Sequence, residues 1–83
     1  MPRFYFHLRD DLDVADDEGL ELPSLDAARE HAAANARFTL AQLAIEEGKI
    51  NFGHCVDIED EEGSVLDTVR FRDVVKVEGW QSA

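Results

Sequence analysis

From Arg3 to Arg9 the chain alternates strictly. Phe4, Phe6 and Leu8 share one parity, and Arg3, Tyr5, His7 and Arg9 share the other. A period of two with aromatic enrichment predicts a half-buried β-strand. Asp10-Asp11 reads as a turn, because short carboxylates tolerate the backbone geometry of turns. Leu12, Val14 and Asp16 then alternate with Asp13 and Ala15, which predicts a returning second strand. Asp17-Glu18-Gly19 is a further turn, followed by Leu20-Glu21-Leu22 and Pro23. At Ser24 the pattern changes. A serine ahead of an alanine-rich run is a helix N-cap, its hydroxyl accepting from an orphan amide of the first turn. Nothing interrupts a helix from Leu25 to about Glu47, and Gly48 supplies the stop. Such a helix spans roughly 34 Å at 1.5 Å per residue.

In the second half, Val56 and Ile58 alternate with Cys55, Asp57 and Glu59, predicting a third strand. Glu61-Glu62-Gly63-Ser64 closes a hairpin, with Gly63 available for a positive φ. Val65 to Phe71 is the fourth strand; Val65, Val69 and Phe71 share a parity broken by Asp67. Phe71, Val74 and Val75 also have the spacing of a short helical turn, while Val75-Lys76-Val77 fits an extended segment equally well. The expected order is ββαββ. Two β-hairpins flank one long helix, giving an α+β fold with a mainly antiparallel sheet and the helix packed on one face. Residues 1–78 form the expected single domain, and 79–83 a frayed tail.

At 100° per residue the helix carries two apolar stripes. Leu25, Ala28, Ala32, Ala36, Leu40 and Leu43 form one; Ala27, Ala34, Phe38, Ala41 and Ile45 form the second, roughly opposite. One sheet covers only one face of a helix. Alanines on a surface are unremarkable, being strong helix formers. Phe38 and Ile45 are not explained that way, so Phe38, Ala34, Ala41 and Ile45 are the candidate interaction surface, with a homodimer as the expected partner state.

Composition narrows the function further. The chain has 83 residues, too few for more than one domain, with 19 acidic and eight basic side chains and a formal net charge of −11. Repulsion from phosphates argues against nucleic-acid binding. Hydrophobic residues make up 45%, enough for a core despite the charge. No apolar run approaches the roughly 20 residues of a membrane helix, and no signal-peptide pattern opens the chain. A cytoplasmic location is expected. A single cysteine, Cys55, excludes an intramolecular disulfide and a multi-thiolate zinc site.

Candidate chemistry is sparse. Acidic residues crowd the two hairpins: Asp10, Asp11, Asp13, Asp16, Asp17 and Glu18 in the first, Asp57 and Glu59 to Glu62 in the second. The stretch from Asp11 has Asp at relative positions 1 and 3, but Ala15 at position 5 and Asp16 where a calcium loop requires glycine. Solvated turns and charged edges that deter strand pairing explain these clusters without a metal. Polyanion mimicry toward a basic protein partner is the alternative use of the same charge. His7, His31 and His54 invite a catalytic reading. Adjacent residues of a strand point to opposite faces, however, so His54 cannot activate Cys55 there. No glycine-rich phosphate loop or nucleophile elbow is present. No catalytic, cofactor-binding or metal-binding residue is assigned.

Pro2-Arg3-Phe4-Tyr5-Phe6-His7, Asp17-Glu18-Gly19-Leu20-Glu21-Leu22-Pro23-Ser24-Leu25-Asp26-Ala27-Ala28, and Asp60-Glu61-Glu62-Gly63 ahead of Thr68-Val69-Arg70-Phe71 carry a resemblance. Together they resemble a family of small, acidic bacterial proteins known as a domain of unknown function, with an Asp-Glu-Gly-x-Glu-Leu-Pro element. The similarity reaches about Asp73 and leaves out Trp80. It implies no activity, cofactor or catalytic residue. Within that element, Leu22 and Leu25 are placed to pack around the helix entrance, Pro23 to stiffen it and Ser24 to cap it. The expected function is therefore a non-enzymatic, self-associating interaction module; the alternative is an acidic decoy for a basic protein.

Overall fold

The computed structural model describes residues 1–9 and 14–79. Strand β1 runs Arg3–Arg9, strand β2 is Leu20–Glu21, helix α1 is Leu25–Glu47, and strands β3 and β4 are Cys55–Glu59 and Val65–Arg70. A single 3-10 turn, Phe71–Asp73, follows. The four strands form one sheet of order β2-β1-β3-β4, every described pairing antiparallel. The helix thus leaves the edge at β2 and returns the chain beyond β1, to β3.

This corrects the expected ββαββ architecture of two hairpins flanking the helix. Among the described residues only β3–β4 is a hairpin of substance. The expected second strand over residues 12–16 falls partly outside the described residues; within them, Val14 makes one isolated bridge to Leu8. Beyond Val14 the pairing does not continue, because a side chain takes over the ladder. Asp16 Oδ2 accepts the Phe6 N–H at 3.2 Å, while its Oδ1 accepts from Glu18 and Gly19, each at 3.1 Å. A short carboxylate offering local acceptors competes directly with a strand partner. The chain turns away and rejoins β1 only at Arg3↔Glu21 and Phe4↔Leu20, as the two-residue β2.

Gly19 makes that turn possible. Its φ is +69°, and a Cβ there would lie 2.9 Å from Arg3 Cγ, Phe4 O and Tyr5 Cε2. At the other hairpin Asp60 performs a similar service, its Oδ1 accepting from Glu62 and Ser64. A register shift lies just before that turn, at Ile58/Glu59.

Helix α1 begins as its cap predicts, with the Ser24 side chain accepting from Ala27 at 3.1 Å, and ends on Gly48 in the left-handed region. Ala28, Ala32 and Ala36 are fully buried and Leu40 nearly so. Small side chains let the helix lie close to the sheet, where Phe4, Val56, Ile58 and Phe71 complete the core. The fourth strand stops at Arg70. Phe71 turns inward instead of continuing the strand, its N–H donating to the His54 carbonyl at 3.0 Å.

Candidate functional site

Packing decides between the two helical stripes. The one containing Ala28, Ala32, Ala36 and Leu40 faces the sheet. Its counterpart points away: Ala34 and Ala41 are exposed, Phe38 is 66% exposed and Ile45 78%. Large apolar side chains in a row on a solvent face are the kind of patch that marks an interaction site. The patch does not stop at the helix. Ala41 also borders a concavity of about 320 Å³ with Ala44, Ile50, Phe52, Val75 and Val77, and Ile50 and Val77 are themselves exposed.

The sheet face opposite the helix is different in kind. Register places His7 beside Asp57, Arg9 beside Cys55, and Thr68 beside Asp57. Arg9 Nε donates to Asp57 Oδ2 at 3.0 Å, and Thr68 Oγ1 donates to Asp57 Oδ1 at 2.8 Å. Glu59 lies 3.4 Å from His7 Nε2 and 3.6 Å from an Arg9 nitrogen. His7 Nδ1 accepts the Asp16 N–H at 3.0 Å. Through Nδ1 the imidazole holds the 14–19 segment against the sheet, while Nε2 faces Glu59 of the neighbouring strand β3. These contacts tie β1, β3 and the 14–19 segment together.

Burial pushes the Asp16 carboxyl up, but the amides of Gly19, Phe6 and Glu18, with His7 nearby, outweigh it and hold the group below the usual carboxylate range. Asp67 is also held low, by hydrogen bonds from the Arg29 side chain and the Thr68 amide. Arg29 Nε donates to Asp67 Oδ2 at 2.6 Å, tying the helix to the edge strand.

The remaining histidines part company. His31 is half-buried, its ring 4.7 Å from that of Phe6. His54 is 9% exposed and packs edge-on against Phe71, with neither ring nitrogen partnered among the described residues. Cys55, one residue on, belongs to the opposite strand parity. Both border a second concavity, of about 280 Å³, which Thr68, Arg70 and Arg72 also line. Nothing in the spacing of Arg70 and Arg72 announces this meeting; it arises because β4 ends between them. Asp16 was equally hidden, since its acceptor role is specified by where Phe6 lies. Among the described residues no group of three or more His, Cys, Asp or Glu could hold a metal ion. The calcium-loop segment from Asp11 lies partly outside them. No described helix is long and apolar enough to cross a membrane.

No curated protein and no solved structure matches this chain. A family model does, over residues 3–72, and its description is a domain of unknown function, DUF6894. The match takes in all four strands, the whole helix, the Asp16 turn and the exposed stripe, and on that extent the chain belongs to the DUF6894 family.

Proposed function

We propose that this protein is a non-enzymatic interaction module that pairs with a second copy of itself through the outer face of α1. The observation that carries the proposal is the self-complementarity of the exposed stripe. In an antiparallel pair whose two-fold axis passes between Thr39 and Leu40, Phe38 of one copy meets Ala41 of the other, and Ala34 meets Ile45. Each large side chain faces a small one, twice over, as an isologous interface requires. Alanines at those positions allow the axes to approach to about 8 Å.

Charge points the same way. From His31 to Ile45 the sequence contains no Asp or Glu, although the chain has 19. Two copies carrying −11 each repel, and this face is where they meet without opposing carboxylates. The carboxylates themselves are partly occupied: Asp16, Asp57, Asp60 and Asp67 accept hydrogen bonds within the fold. That favours self-association over a decoy for a basic partner.

Sedimentation of the full chain at micromolar concentration tests the reading, with twice the chain mass expected. Ala41→Phe places two phenylalanines opposite each other and is expected to dissociate the pair. Adding Phe38→Ala inverts the large-small match and is expected to restore it. A wild-type monomer across the accessible concentration range overturns the proposal. So does an Ala41→Phe chain that Phe38→Ala fails to rescue while its helical signal stays intact.

A further inference from the structure

We infer that the concavity at the end of β3 and β4 is an oxyanion site, suited to the phosphate or carboxylate group of a small ligand. Acidic side chains outnumber basic ones by 19 to eight, so an arginine meets a carboxylate readily. Arg3, Arg9, Arg29 and Lys76 do so, and Arg37 donates to the Val74 carbonyl. The side chains of Arg70 and Arg72 do not: among the described residues neither guanidinium has a hydrogen bond or ion pair. Lys49 shares that condition, but only the two arginines border one concavity.

His54 stands in the same wall, nine-tenths buried, with both ring nitrogens lacking partners. Unused donor capacity in a buried imidazole costs free energy, and such groups persist in native structures for a reason. Asp57, the acidic neighbour on this face, has its two oxygens occupied by Arg9 and Thr68, so it competes weakly for the guanidinium groups. Two guanidiniums without carboxylate partners, bordering one concavity whose wall includes His54, match the planar, multidentate demands of an oxyanion. The volume, about 280 Å³, admits a small molecule's charged end rather than a folded partner.

The test is a titration of the full chain with inorganic phosphate and, separately, with citrate, against sodium chloride at matched ionic strength, read by backbone amide NMR. Saturable shifts are expected in Gly53 to Cys55 and Thr68 to Arg72 with one or both anions. A response to phosphate alone identifies a phosphoryl ligand, and a response to citrate identifies a carboxylate. Arg70→Gln with Arg72→Gln is expected to weaken binding about tenfold or more. Its fold should be kept, because both side chains are exposed and unpaired. Shifts that chloride reproduces, that neither anion saturates, or that survive the double substitution overturn the inference.

Discussion

The Asp16 carboxylate accepts the backbone N–H of Phe6, standing where a strand carbonyl would otherwise stand. It also accepts from Glu18 and Gly19, so one side chain satisfies three amides. Asp16→Ala leaves those donors short of partners and is expected to cost about 1–3 kcal/mol in urea unfolding. Asp16→Asn keeps one acceptor oxygen and should cost less.

The same bonds set a pH dependence. With its carboxyl lower in the folded than in the unfolded chain, Asp16 contributes stability that is present above the ordinary Asp value, about 3.9. That contribution is lost as the pH falls through the lower folded value. The stability gap between wild type and Asp16→Asn is therefore expected to narrow as the pH drops below about 4. Unfolding curves at a series of pH values read it directly, and a gap that is constant or widens in acid contradicts the assignment.

Gly19 and Gly48 form a matched comparison, both with positive φ. A Cβ at Gly19 meets three atoms at 2.9 Å, whereas one at Gly48 meets nothing within 4 Å. Gly48→Ala should cost about 1–2 kcal/mol, the left-handed backbone penalty alone. Gly19→Ala should cost clearly more, as measured by thermal melts of both variants.

Opposite helical faces should answer oppositely to the same substitution. Ala32 is fully buried against the sheet, so Ala32→Leu overpacks and is expected to lose about 1–3 kcal/mol. Ala34 is exposed, and Ala34→Leu should leave the subunit's own stability within about 0.5 kcal/mol. Denaturation at concentrations low enough to keep the chain monomeric separates the two.

His54→Leu removes two unpartnered ring nitrogens from a buried position while keeping an apolar side chain against Phe71. In phosphate-free buffer this substitution is expected to raise the melting temperature, by an amount corresponding to about 1 kcal/mol. A fall instead would show that the imidazole is partnered in solution.

Local rules made much of this fold legible in the chain. Alternation placed β1 and β3, Ser24 and Gly48 bounded the helix, and its periodicity separated two apolar stripes, because each of these depends on neighbours a few residues away. The tertiary structure decided the rest. Which stripe turned inward depended on the sheet that packed beneath it. Pairing with β1 stops after Val14 because the Asp16 carboxylate reaches Phe6, ten residues earlier, and takes the place of a ladder partner. Arg70, Arg72 and His54 share one concavity only because β4 ends beside the start of β3. Contacts between distant segments follow from packing and side-chain competition, and no periodicity encodes them.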